Sequence, residues 1–210
     1  MALTQSIEKK SETVSRILKA AMTVFSEAGF GSTRVDEIAR RAGVNKATIY
    51  YHIGNKETLY AEVIHGVIGK IADAMAVGMQ DSQSPEEKIK TYVRNIIHAI
   101  ADNPQVPPIM MREIASQGQN FPDVVAQDVI RIVGIVADIL DEGVKKNVFV
   151  ETNPFILHMM VIGTVMFYQA SSPVRVKLSR IPKHMKYLNA LKNRDISGYI
   201  EDLVLRAIKR

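Results

Sequence analysis

Thr33-Arg34-Val35-Asp36-Glu37-Ile38-Ala39-Arg40-Arg41-Ala42-Gly43-Val44-Asn45-Lys46-Ala47-Thr48-Ile49-Tyr50-Tyr51-His52-Ile53-Gly54-Asn55-Lys56 reads as two short helices about a glycine turn. In the first, Val35, Ile38, Ala39 and Ala42 recur at three- and four-residue spacing and supply one buried face. Thr33 is the expected cap of that helix, with Asp36 three residues on suiting its partly positive start, and Gly43 ends it. Asn45 is placed to cap the second helix, Lys46 to His52, whose composition is different. Only Ile49 suits a core; Lys46, Thr48, Tyr50, Tyr51 and His52 cannot all face one, and a merely solvated helix rarely spends three adjacent rings. That is the sequence form of a helix-turn-helix, in which the second helix lies in the major groove of duplex DNA.

Each residue of the segment then has an expected role. Ala47 is small enough to let the backbone approach the groove floor and can meet a thymine methyl. Lys46 and Thr48 can reach phosphates or base edges, while Tyr51 and His52 offer a hydroxyl and a ring N–H to the DNA backbone. Tyr50 is expected to be partly packed and partly functional. Lys56 can hold a phosphate beside the free N–H groups of the helix that Asn55 caps, and Thr33 with Arg34 can do the same one helix earlier.

Working outward, strand-like alternation is nearly absent and apolar residues recur at helical spacing almost throughout, so the fold class is all-α. A first helix is expected from about Ser11 to Ala28, ended by Gly29 and Gly31, with Val14, Ile17, Leu18, Ala21 and Phe25 inward. A fourth runs from Lys56 to about Met79 on Leu59, Val63, Val67 and Ile71, followed by a polar hinge at 80–84. Ser84-Pro85-Glu86-Glu87 opens a helix over about 86–102, which carries Ile89, Val93, Ile96, Ile97 and Ile100 around His98. Asn103–Pro108 breaks it, and further helices are expected at about 109–117, 122–146, 154–170 and 196–208. The domain reading is a three-helix DNA-binding head at 1–55 and a larger helical domain at 56–210, with 56–79 as connector.

The helices at about 122–146 and 154–170 are apolar almost all round, and such a helix must be covered on every side. A second copy of the chain, through a two-fold four-helix interface, is the economical cover; a central core helix within one subunit is the alternative.

Charge is uneven. Residues 1–60 carry a net +3, 61–170 a net −5 and 171–210 a net +7. A basic head before an acidic middle fits a nucleic-acid surface confined to the N-terminus. The basic segment 175–194 reads as a solvated connector, with an acidic partner or a membrane surface as the rival. Cysteine is absent, which excludes disulfides and thiolate metal sites and is compatible with a reducing cytoplasm. No signal peptide is apparent, and the apolar run Phe155–Tyr168, interrupted by His158 and Thr164, falls short of the ~20 residues a bilayer needs, so no membrane partner is expected. Five histidines (52, 65, 98, 158 and 184) lack metal-ligand spacing, and no catalytic motif or cofactor loop stands out, so no metal, cofactor or enzymatic activity is expected.

Arg16-Ile17-Leu18 through Phe25, Gly29-Phe30, Thr33, Ile38-Ala39, Ala42-Gly43-Val44, Ile49-Tyr50-Tyr51-His52 and Asn55-Lys56-Glu57-Thr58-Leu59 closely resemble the tetracycline-repressor (TetR) family of bacterial regulators. The resemblance covers about the first 65 residues; one departure is Ile53, where the family usually carries phenylalanine. It implies a homodimer with one head per subunit on a palindromic operator. It also implies a C-terminal domain whose small-molecule ligand changes the spacing of the heads, with the helices at about 122–146 and 154–170 forming the dimer bundle. The cavity candidates are Tyr92, His98, Met110, Met111, Phe121, His158, Met159 and Met166, with Arg112 and Phe167 nearby. Ten methionines suit an adaptable apolar cavity, although a methionine at helical spacing also serves ordinary packing, and His98 and His158 also read as core or interface histidines. The expected function is a cytoplasmic, ligand-responsive repressor released by a small, largely apolar effector. The alternatives are an activator or partner-controlled factor without such an effector, or a helical small-molecule-binding protein or enzyme that retains the head.

Overall fold

A computed structural model describes residues 2–78, 84–178 and 196–210, with side chains from residue 10 onward. The expected hinge, apart from Ser84, and residues 179–194 of the basic segment lie outside the described residues. Those described form ten helices: α1 Ala2–Ser32, α2 Val35–Ala42, α3 Lys46–His52, α4 Lys56–Gly78, α5 Pro85–Asp102, α6 Val106–Ala115, α7 Asp123–Lys145, α8 Pro154–Ala170, α9 Ser172–Leu178 and α10 Ile196–Ile208. Among them the only strand-like pairing is a single bridge between Phe149 and Lys209.

Four details differ from the sequence reading. Helix α1 begins well before Ser11, because residues 2–10 contain neither glycine nor proline to stop it. It breaks at Gly29, whose φ of 74° favours glycine and whose missing Cβ leaves room for the Arg112 side chain. Thr33 does not cap α2. It is buried, and its hydroxyl donates to the Gly29 carbonyl at 2.6 Å, so it closes the end of α1, while Arg34 takes the cap position without a side-chain bond. Helix α6 starts at Val106 rather than Ile109, since prolines are accommodated in a first turn that needs no N–H donors. Residues 172–178, which include the start of the 175–194 segment read as connector, are helical for the same reason, with Pro173 in the first turn.

The chain forms two compact units, the first made of residues 1–69 and 108–127. Its core gathers Ile17, Ala21, Phe25, Ile38, Ile49, Leu59 and Ile64. The Phe25 ring meets Tyr60 edge-on at 4.8 Å, and Phe30 lies 5.0 Å from Tyr60. Segment 108–127 is fastened to this core by a polar bond, the Tyr60 hydroxyl donating to Glu113 Oε1 at 2.6 Å; within the segment, Asn120 N donates to Glu113 Oε2 at 3.3 Å. Arg112 donates to the carbonyls of Ser26 and Glu27, near the end of α1. Burial, and then the Glu113 carboxylate, push the Tyr60 phenol well above its usual range, so it stays a donor.

The second unit comprises residues 70–107 and 128–210. Here α5 packs on α8 and α10, burying Ile89, Tyr92, Val93, Ile96 and Ile100 among Leu157, Val161, Ile200 and Val204. Arg94 makes two parallel bonds of 2.9 Å to the Glu201 carboxylate, which also accepts from Ser197. Gly143 is obligatory: a Cβ there would lie 1.9 Å from the buried Phe149 ring.

Within the same unit the Tyr92 hydroxyl and His158 Nδ1, both buried, are 2.9 Å apart. Burial lowers the His158 pKa from 6.5, so the unfolded chain accepts a proton that the folded one resists.

Two outcomes follow from this packing. Tyr60→Phe leaves a buried carboxylate short of its principal donor and should cost about 1–3 kcal/mol in urea unfolding. The stability that depends on neutral His158 is whole above pH 6.5 and is lost as pH falls below that value. The urea midpoint should therefore drop between about pH 7.5 and about pH 5.5, and drop less in His158→Gln; equal falls in both would remove His158 as the cause.

Candidate nucleic-acid interface

Helix α2 buries Val35, Ile38, Ala39 and Ala42, the face expected from their spacing. Gly43 then turns the chain at φ 66°, ψ 37°, and Val44 N donates back to the Ala39 carbonyl at 3.0 Å. Asn45 is extended, and its Oδ1 accepts from both the N–H and the hydroxyl of Thr48, at 2.8 and 2.9 Å. The direction of α3 is thus fixed at its first turn. Asn55 repeats the device at α4, accepting from Thr58 N and Oγ1 at 2.8 Å each.

Helix α3 buries one residue, Ile49. Lys46 and Ala47 are exposed, Tyr50 is 47% exposed and Tyr51 80%. Thr48 is half-buried, with its hydroxyl committed to the Asn45 cap. His52 is half-buried with its ring 5.0 Å from that of Tyr51, and its Nδ1 is buried without a hydrogen-bond partner. Arg34 is exposed at the start of α2 and has no carboxylate partner among the described residues. The Lys56 ammonium rests 4.4 Å above the Phe30 ring and 3.4 Å from the Gly31 carbonyl, tying the start of α4 to the turn ahead of α2.

Several cations of this unit are already paired, which the sequence reading did not foresee. Lys46 Nζ lies 3.0 Å from Asp36 Oδ2, a contact that raises the lysine pKa. Arg40 and Arg41 both bind Glu37, and Arg41 also reaches Glu27 at 2.8 Å. Arg40 first, then Arg41, lower the Glu37 pKa to about 2. Arg16 and Lys19, given no contact role in the sequence, line an open groove of about 290 Å³ with Thr23 and Arg41. Their signal was available: both lie off the apolar stripe of α1.

The cavity candidates are distributed between the two units. Met110, Met111 and Phe121 are half-buried in the first. Tyr92, His158 and Met166 are buried in the second. His98 is exposed instead of core, because Ile96, Ile97 and Ile100 occupy the inner face of α5; Met159 lies 40% exposed on α8. Phe167 is also exposed, and Arg112 is engaged with α1. Among the described residues no group of three or more potential metal ligands is brought together.

A capped glycine turn followed by a short helix with outward polar and aromatic side chains defines a helix-turn-helix DNA-binding regulator. Residues 17–63 match the family model "Bacterial regulatory proteins, tetR family", and residues 85–181 match that of the "Tetracyclin repressor-like, C-terminal domain". The chain belongs to the tetracycline-repressor family of bacterial transcriptional regulators. It is similar to the HTH-type transcriptional repressor NicS of Pseudomonas putida, 27% identical over 97% of this chain and 95% of that one. The HTH-type transcriptional regulator RutR of Escherichia coli is also 27% identical, over 79% of each chain. In fold, the hemolysin II transcriptional regulator HlyIIR superposes with a TM-score of 0.67 at 23% identity, covering 96% of this chain and 99% of that one.

Asn45→Ala should lower stability by about 1 kcal/mol through loss of the α3 cap. Tyr51→Ala, so exposed, should change it by less than about 0.5 kcal/mol. Urea unfolding of the two variants beside the parent checks both.

Proposed function

We propose that this chain acts as a homodimeric, effector-released repressor, with α3 of each subunit seated in the major groove of a palindromic operator. The observation that carries the reading is that α3 buries Ile49 alone and leaves Lys46, Ala47, Tyr50 and Tyr51 to solvent. Ala47 then lies close to the groove floor, Lys46 reaches base edges or phosphate, and the tyrosines with His52 line the flanking backbone. Arg34 and Lys56 add phosphate contacts at the starts of α2 and α4. Asn45, Thr48 and Thr33 act mainly by fixing the helices that carry the contacts. In this reading residues 1–55 are the head and 56–210 the effector-binding and dimerisation part, working in the cytoplasm.

Dimerisation is supported by the outer stripe of α8, where Phe155, Ile156, Met159, Met160 and Phe167 are exposed. Such a patch calls for a cover. The repressor sign is supported by the name of NicS. An apolar effector is supported by the solved complex of the Bacillus subtilis regulator FadR with stearoyl-CoA, a chain of the same fold. Whatever its identity, the effector releases DNA only by binding the released state better than the DNA-bound one.

Selection from random duplexes should enrich an inverted repeat whose half-sites lie about 34–36 Å, or a multiple of that, apart. Lys46→Ala combined with Tyr51→Ala should weaken binding to it by at least about tenfold, a loss of about 1.4 kcal/mol, without loss of helix content. No enriched repeat at low salt, or unchanged binding by the double variant, would overturn the reading.

A further inference from the structure

Lys46, the first residue of α3, is held by Asp36 from the first turn of α2, across the glycine turn, at 3.0 Å. Both side chains are largely solvent-exposed, so the pair does little for stability. It does change what Lys46 offers to a nucleic acid. Glu37 and Glu27 hold Arg40 and Arg41 instead. Asp36 is the acid turned toward the helix read above as the DNA reader.

Non-specific binding draws on phosphates neutralised by free cations, each releasing a counterion. A lysine already paired with a carboxylate gains little by exchanging it for a phosphate. The exchange also leaves Asp36 unpaired beside a polyanion. A base edge can compensate in a way phosphate cannot: guanine O6 and N7 accept from the ammonium, and a cytosine N4 amine donates to the carboxylate.

We propose that Asp36 is a specificity-determining residue: by pairing with Lys46 it withholds that cation from random duplex and yields it to an operator that supplies base-edge partners. The proposal rests on the reading that α3 enters the major groove. Asp36 therefore weakens binding to the wrong sequence more than to the right one, a penalty that sharpens choice.

Fluorescence anisotropy of the full chain on the selected operator and on a random duplex of equal length, between 50 and 200 mM salt, tests it, using Asp36→Asn, Lys46→Met and the double variant. Asp36→Ser serves as a second removal of the charge. Asp36→Asn should tighten random-duplex binding about three- to tenfold at low salt and steepen its log–log salt slope by about 0.9, one added phosphate contact. Operator affinity should change less, so the ratio of the two falls. With Lys46→Met in place, removing Asp36 should have much less effect on random duplex. An unchanged ratio, or an equal gain in the Lys46→Met background, would overturn the role of Asp36 and leave the groove reading standing. Operator binding unaffected by Lys46→Met would instead remove Lys46 from the interface, and the proposal with it.

Discussion

A seven-residue helix cannot hold itself together in water, because nucleation costs more than two turns of hydrogen bonds return. Everything the head offers to a partner depends on how α3 escapes that cost. Asn45 satisfies donors at its start, the left-handed Gly43 fixes its angle to α2, and Ile49 anchors it in the core. At the far end, Ile53 N and Gly54 N both turn back to the Ile49 carbonyl. With one residue doing the packing, the outer residues of the helix are released from structural duty. A longer helix would have needed a wider apolar stripe and would have left fewer positions for recognition.

Net charge describes this head poorly. The +3 over residues 1–60 suggests a uniformly attractive surface, yet Arg40, Arg41 and Lys46 are neutralised within about an ion-pair distance of Glu37, Glu27 and Asp36. Arg16, Lys19 and Arg34 have no carboxylate partner among the described residues. The long-range field still draws a polyanion toward the surface, because the paired charges cancel at a distance and the net +3 remains. Contact energies come from the cations that need not first be pulled from a carboxylate. For DNA at a groove the balance differs residue by residue, so Arg34 at the start of α2 and Lys46 at the start of α3 are not equivalent cations.

Features set within a few residues were legible in the sequence. The caps Asn45, Asn55 and Ser84 each stand where the local pattern put them, because a cap is a contact between near neighbours. Ile49 as the sole anchor of α3 was legible for the same reason. Thr33 was misread because two helix ends compete for its hydroxyl, and the orphan carbonyl at Gly29 wins over the start of α2. The Asp36–Lys46 pair was invisible: nothing in the spelling of two residues ten apart says that a turn brings their tips together. A cavity lining is harder to read, since the side from which a methionine or histidine is covered is set by other helices. His98 on the open side of α5 shows the cost of inferring a lining from residue type alone.

Helix α8 presents the same problem in an extended form, and its outer stripe has a shape that constrains any cover. Phe155 and Ile156, Met159 and Met160, Gly163 and Thr164, then Phe167 recur at four-residue steps, all exposed. Side chains spaced by four make a ridge inclined to the helix axis, and two such ridges interlock at a steep crossing of about −50°. The small pair, Gly163 and Thr164, lies between bulky groups, so a second helix can come closest there while phenylalanine and methionine fill either side. The Thr164 hydroxyl donates to the Met160 carbonyl at 2.6 Å, so no unpaired polar group is left to oppose an apolar neighbour. For a proposed two-fold dimer, the axis would pass near Gly163, because an isologous contact places its point of nearest approach on the symmetry axis. No single described helix is long and apolar enough to cross a membrane, and the inner face of α8 is already spent on Leu157, Val161 and Val165.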